Sequence, residues 1–445
     1  MGADSSESRK AGFRIPTSIA ARGLEFLKMG AKLAAKSTAG GEKAVRHLEQ
    51  AQVLVEGLSR LKGAAMKLGQ TVSVELRDVL PPEFVDALSK LQDEGTSLSG
   101  AAIRDILKKE WGDDPLTRLE SFVDSPLASA SIGQVHAARW QGKEIALKVQ
   151  FPGITQTLES DIQGLNVLLR SVLLITGRKM HVEPLLEEIG SVFRQETDYL
   201  LEAQFLQEYR QKIREYPGYR VPEVIQELST SKVLAMSRER GLKPLDWVRV
   251  RQPSKELCAR VGERILDLYE IEFFQMGLVQ TDPNFANFLI DDSENREDPV
   301  ITLLDFGAVK RYSPEFRKSY HRLLQLAHAG DRDAVVEKFY ELELLDRSEG
   351  QEGVNALWNL LRASISPFDP QRQPFRFADA DYAREMRESA LELTKACRVS
   401  LPPRSIIFLH RKLGGVFNLL KAMDVELDLA ERWKKLNSLL SSPAS

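Results

Sequence analysis

The stretch Val279-Gln280-Thr281-Asp282-Pro283-Asn284-Phe285-Ala286-Asn287 sets a carboxylate, Asp282, ahead of a neutral amide, Asn287, with four residues between them. A second carboxylate, in Leu303-Leu304-Asp305-Phe306-Gly307, follows 18 residues after Asn287. These are the residue types that phosphoryl transfer requires. The migrating group is dense in negative charge, so a magnesium ion must bridge its oxygens. Asn287 offers that ion a neutral oxygen and Asp305 a charged one. Asp282 sits where a carboxylate can orient or deprotonate the attacking oxygen. Singly, Asp282 could be a turn cap and Asp305 a strand-end turn former. In this order and separation, with an apolar strand leading into the second motif, they point to catalysis.

The same chemistry has counterparts upstream. Ile145-Ala146-Leu147-Lys148 ends an apolar strand in a lysine suited to grip the α and β phosphates of a nucleotide. Glu202, in a long helical pattern over 184–213, is the candidate for the ion pair that positions Lys148. Ahead of the lysine, Ala128-Ser129-Ala130-Ser131-Ile132-Gly133-Gln134 occupies the place of a phosphate-binding loop, although only Gly133 is glycine. Alanine methyl groups limit how closely backbone approaches phosphate and disfavour positive φ. The segment Val233 to Gly241 reads as a hinge strand, with Met236 at the nucleotide base.

These residues need particular elements beneath them. Lys143 to Val149 alternates as a strand, and Gln141-Gly142 before it reads as a hairpin turn. Helical patterns cover 101–110, 154–176 and 184–213, and most of the chain after Pro253. A strand pair lies around 288–305, split by the polar loop Asp291 to Pro299. The expectation is an α+β, two-lobed fold with an all-helical N-terminal extension. Its expected segments are a basic N-terminal piece over 1–50, a helical extension over 51–115, an N-lobe over 116–240, a helical C-lobe over 241–425 and a tail over 426–445.

Composition narrows the alternatives. The 445 residues carry 61 Lys and Arg against 64 Asp and Glu, a formal charge of −3, which excludes a nucleic-acid binder running on bulk charge. Cys258 and Cys397 are the only cysteines, so no disulfide framework or Cys-based zinc site is expected. Within residues 1–50, nine Lys and Arg face five Asp and Glu. Lys28, Lys32 and Lys36 recur at helical spacing beside Leu27, Ala31, Ala34 and Ala35, as in a weakly apolar amphipathic helix suited to a membrane surface or to packing on the body. No uninterrupted apolar run reaches the ~18 residues of a spanning helix. The opening Met1-Gly2-Ala3-Asp4-Ser5-Ser6 also fits the short myristoylation pattern. His136, His321 and His410 sit in helical or strand patterns as packing or surface residues.

Taken together, the motifs resemble the UbiB/ADCK atypical kinase family, whose alanine-rich loop replaces the glycine-rich one. Lys67-Leu68-Gly69-Gln70 matches its KxGQ motif, and Glu196-Thr197-Asp198 its ExD motif. Gln280-Thr281-Asp282 and Leu409-His410-Arg411-Lys412-Leu413-Gly414-Gly415 resemble the mitochondrial coenzyme Q branch and its bacterial relatives. The resemblance spans residues 50–425 and implies a protein-kinase-like fold. It further implies ATP and Mg2+ as cofactors and a regulatory group formed by Lys67, Gln70, Glu196 and Asp198, with Lys67 meeting Glu196 as the KxGQ helix covers the cleft. If 184–213 is one helix, Glu196 and Glu202 lie 240° apart on it and serve different partners. Departures are equally informative. Gln280-Thr281 replace the His-Arg of ordinary protein kinases, Ser237 stands where relatives often place Glu, and neither a long loop nor Ala-Pro-Glu follows Gly307.

The expected activity is a magnesium-dependent ATPase or small-molecule phosphotransferase supporting ubiquinone biosynthesis at a membrane surface. Its rivals are a nucleotide-gated scaffold without phosphoryl transfer and, last, a protein kinase. Expected partners are lipophilic quinone precursors or anionic lipid, quinone-biosynthesis enzymes and a second copy of the chain, with no nucleic acid. The expected location is cytoplasmic, peripheral at the inner-membrane face, or alternatively the mitochondrial matrix side.

Overall fold

The computed structural model describes residues 98–130, 132–176, 183–282, 284–397 and 403–441. Lys67, Gln70, the basic segment before residue 50 and Ser131 therefore lie outside the described residues. The chain divides into two compact units: 98–142 with 146–197, and 143–145 with 198–441.

In the first unit, helix α1 (Gly100–Trp111) buries Ile103, Leu107 and Trp111, one face at a spacing of four. Ser99 caps its start by accepting from the Ala102 amide, and Gly112 ends it at φ 81°. A one-turn helix, α2 (Pro115–Arg118), leads into β1 (Ser121–Ala130), which pairs antiparallel with β2 (Gly133–Trp140). The register runs from Ser121 opposite Arg139 to Ala130 opposite Gly133, with irregularities on either side of Pro126. Proline donates no ladder bond, and β1 is correspondingly an edge strand. The expected hairpin turn is present. Gln141 (φ 48°) and Gly142 (φ 73°) are both left-handed, as a two-residue primed turn requires, and lead into β3 (Lys143–Gln150). Helices α3 (Ile154–Thr176) and α4 (Glu183–Glu196) complete this unit.

The pattern over 184–213 was expected to form one helix; it forms two. α4 ends at Glu196, and α5 (Tyr199–Ile213) starts afresh with Asp198 as its N-cap, in extended conformation. The Asp198 carboxylate accepts from the Leu200 and Leu201 amides, each at 3.1 Å. A short carboxylate competes well for such free amides, and this breaks the continuous helix. The 240° separation of Glu196 and Glu202 consequently does not apply. Asp198 is the N-cap of α5.

The second unit opens with α5 and a two-residue strand, β4 (Tyr219–Arg220). The hinge strand β5 (Val233–Ser237) follows, beside the first residues of β3, where the Arg238 amide donates to the Glu144 carbonyl. Helices α6 (Pro244–Arg251) and α7 (Lys255–Glu270) come next, and α7 runs into a π-helical turn, Ile271–Met276. Two small strand pairs then frame the motif region. β6 (Leu278–Gln280) pairs antiparallel with β9 (Val309–Arg311), and β7 (Phe288–Asp291) with β8 (Val300–Leu303). β4 joins β8 in parallel.

The remainder is mostly helical: α8 (Pro314–Ala329), α9 (Arg332–Glu341), α10 (Gln351–Ile365), α11 (Ala380–Ala396), α12 (Arg404–Ala422) and α13 (Leu429–Ser441). A minor pair, β10 (Phe375–Arg376) with β11 (Glu426–Leu427), lies among them. Phe273, Tyr312, Tyr320 and Leu409 form one core of this unit; Leu326, Val335 and Phe339 belong to another. Among the described residues, no helix is long and apolar enough to cross a membrane, and both cysteines are free.

Candidate active site

The loop between β6 and β7 is braced by its own polar side chains. Asp282 Oδ1 accepts from the Asn284 amide at 3.1 Å, and Asn284 Oδ1 accepts from the Ala286 amide at 3.0 Å. These Asx turns tighten the chain into the 3₁₀ turn Phe285–Asn287. Asn287 Nδ2 then donates to Asp282 Oδ2 at 2.7 Å. The two residues singled out by their spacing are therefore in direct contact. With its amide nitrogen engaged, the side-chain oxygen of Asn287 is the atom that could ligate a cation.

Asp305 belongs to the same neighbourhood through the backbone. In the β7–β8 hairpin Phe288 stands opposite Leu303, and just beyond that pair the Leu304 amide donates to the Asn287 carbonyl at 2.9 Å. Asn287 and Asp305 thus flank one end of a single hairpin. Asp305 Oδ1 accepts from the Gly307 amide at 2.9 Å, which turns the chain sharply into β9. Thr281 closes the frame: its amide and hydroxyl both donate to the Ala308 carbonyl, at 2.8 and 3.1 Å. The strand before Asp282 and the strand after Asp305 are therefore one ladder.

Helix α5 grips the Asp-Phe-Gly segment. Fully buried Glu202 accepts from the Phe306 amide at 3.4 Å. One heptad on, the Tyr209 ring packs against that of Phe306, with centroids 4.8 Å apart. Between them, the Arg311 guanidinium lies over the Phe205 ring and forms a paired contact with the Glu208 carboxylate.

Sequence reasoning missed a buried polar cluster directly behind the loop. Glu272, on the π-helical turn, has no exposed surface and accepts from Tyr209 Oη at 2.9 Å and from the Gln280 amide at 3.1 Å. Lys412 of α12, 2% exposed, lies 3.4 Å from Glu272 and donates to Gln280 Oε1 at 2.8 Å. Burial pushes the Glu272 carboxyl up, while the Lys412 ammonium and the hydrogen bonds from Gln280 and Tyr209 hold it down; the net direction is up. A signal was available. Glu272 and Lys412 are charged residues inside strongly apolar helical patterns, where a charge is retained only when paired.

The nucleotide-facing expectations fall on well-formed elements. In the first unit Lys148 is buried near the end of β3, between fully buried Leu147 and Val149. Ala128, Ser129 and Ala130 form the end of β1, and Gly133 begins β2. The alanine-rich segment is thus a strand–turn–strand. Gln134 anchors it, accepting from the Leu98 amide at 2.7 Å. Glu196 closes α4, partly buried. In the second unit Met236 is buried in β5. Ser237 at the end of β5 donates to Glu239 at 2.6 Å.

Comparison with known proteins shows the family and the fold. Residues 90–339 match the ABC1 atypical kinase-like domain. The chain is 32% identical to the rat protein named atypical kinase COQ8B, mitochondrial, over 82% of this chain and 68% of that protein. It is 30% identical to yeast atypical kinase COQ8, mitochondrial, over 85% and 74% of the two chains. Among solved structures, the erythromycin complex of Rv3197 from Mycobacterium tuberculosis shares the fold, with a TM-score of 0.61 and 24% identity over 87% of this chain and 95% of that one. The kinase-like domain implies ATP binding. The chain belongs to the UbiB/ADCK (ABC1) atypical kinase family, in its coenzyme Q branch.

Proposed function

We propose that this atypical kinase hydrolyses ATP, or transfers its terminal phosphoryl group to a small molecule, with magnesium. One observation carries the reading: Asp282, Asn287 and Asp305 are gathered at one end of the β7–β8 hairpin by hydrogen bonds and strand pairing. The donor set fits magnesium. A carboxylate and an amide are hard oxygen ligands, and a hard cation of this kind completes its shell with phosphate and water. When bound, magnesium supplies charge neutralisation at the transferring phosphoryl group.

The chain's own residues then have distinct roles. Asn287 and Asp305 hold the cation. Asp282, fixed by Asn284 and Asn287, orients the attacking oxygen and accepts its proton. Lys148 and the alanine-rich segment meet the phosphates, and the β5 backbone near Met236 meets the base. Glu202 is assigned to position Lys148. A small acceptor is favoured over a peptide because only residues 308–313 separate Gly307 from α8, and β9 uses three of them. Lys67 and Gln70 with Glu196 and Asp198 are assigned to regulation by a covering helix.

From family membership we place the activity in support of ubiquinone biosynthesis, peripheral at a membrane. The proposed location is the cytoplasmic face of an inner membrane or, alternatively, the mitochondrial matrix side; that relatives are named mitochondrial supports the organelle of the second. Quinone precursors or anionic lipid, biosynthetic enzymes and a second copy of the chain are the proposed partners. The test is phosphate release from ATP by purified protein, with and without quinone-precursor mimics and anionic vesicles. Nucleotide binding without release under every condition would favour a nucleotide-gated scaffold.

A further inference from the structure

Lys412 reaches both ends of the loop that carries Asp282 and Asn287. At the entrance it donates to Gln280, the last residue of β6, and at the exit its ammonium lies 5.1 Å from the ring centroid of Phe288, the first residue of β7. Glu272 holds the ammonium in place and also accepts from the Gln280 backbone amide, so Gln280 is gripped by side chain and main chain at once. Gln280 Nε2 is buried without a hydrogen-bond partner. The Gln280 side chain is therefore held through Oε1 alone.

We infer that Lys412 is a positioning residue for phosphoryl transfer: one buried ammonium, anchored on Glu272, staples the two ends of the 281–287 loop and thereby sets the distance between Asp282 and the attacking oxygen. The inference rests on the phosphoryl-transfer reading above and adds a residue more than a hundred positions from either motif. It also links two sequence peculiarities. Gln280, in place of the histidine of ordinary protein kinases, supplies a neutral acceptor that a buried ammonium can use. The lysine of Leu409–Gly415 is its donor.

A structural role and a positioning role are separable. Lys412→Met alone leaves Glu272 as an uncompensated buried charge and destabilises the fold for reasons unrelated to catalysis. Lys412→Met/Glu272→Gln removes both charges at nearly constant volume, which often restores stability. The expected result is a double variant that melts near wild type and binds ATP as wild type, but whose kcat falls on the order of 100-fold, the usual effect of a misplaced reacting group. Gln280→Met, which keeps the ion pair and deletes the acceptor, should show the same kcat loss without a change in ATP affinity. Hydrogen exchange across residues 278–287 should quicken in both. Wild-type turnover in either variant, or unchanged exchange in this segment, overturns the assignment. No phosphate release from the wild-type protein would instead remove the phosphoryl-transfer reading, and the exchange comparison would then decide the staple by itself.

Discussion

Replacing Tyr209 by Phe removes one hydroxyl and nothing else. Tyr209 and Glu272 are both fully buried, 2.9 Å apart, and the Tyr209 ring stays packed on Phe306 in the variant, so no cavity opens. The loss is a hydrogen bond to a buried carboxylate, about 1.5–3 kcal/mol. Glu272 keeps the Gln280 amide and Lys412, which places the expected cost near the lower end, about 2 kcal/mol. The sign of its pH dependence follows from linkage. Burial already raises the Glu272 carboxyl, and removing a donor to its ionised form raises it further. The penalty is therefore full at pH values above the raised pKa and shrinks as pH falls through it, where the wild-type carboxyl is protonated too. Urea unfolding at pH 8 and pH 5.5 measures both terms. A cost below ~0.5 kcal/mol at pH 8, or one that grows on acidification, would refute the view that Tyr209 stabilises an ionised Glu272.

Three further outcomes are expected. Asp198→Ala should lose about 1 kcal/mol through its cap while Asp198→Asn retains it; a loss of activity in the Asn variant at full stability would show that the charge has a role beyond capping. Arg311→Met should cost only about 0.5–1 kcal/mol, because the guanidinium is 60% exposed and screened by solvent. Its hydrogen bonds to Glu208 hold that carboxyl below its ordinary value, so this contribution is present above the unfolded carboxylate pKa of ~4.3, fades as pH falls through the lowered folded value, and weakens in salt; a pH-independent difference in unfolding free energy would contradict it. Ala130→Gly should tighten ATP binding by letting the β1–β2 turn approach the phosphates more closely, and nucleotide titrations showing equal or weaker binding would rule this out.

The loop and the Asp-Phe-Gly segment were legible because their chemistry is local. Asp282, Asn284 and Asn287 brace one another within six residues, so spacing alone implies their contact. The hairpin turn at Gln141-Gly142 was readable for the same reason. The break between α4 and α5 was not, because apolar periodicity continues through Thr197-Asp198 and only the cap geometry stops the helix. Glu272 and Lys412 were invisible for a different reason. They are 140 positions apart, and a charge in an apolar helix announces a partner without naming it. The β6–β9 ladder also escaped: strands of three residues carry too little periodicity to separate from loop.

The most direct test of the account is magnesium-dependent phosphate release from ATP by the wild-type protein and by Asp305→Asn, at matched stability. Removing a charged metal ligand from the end of the β7–β8 hairpin should lower turnover on the order of a thousandfold, about 4 kcal/mol in the barrier, while the fold persists. Turnover by Asp305→Asn at the wild-type rate, with the same dependence on magnesium, would contradict the assignment of Asp282, Asn287 and Asp305 as a phosphoryl-transfer centre.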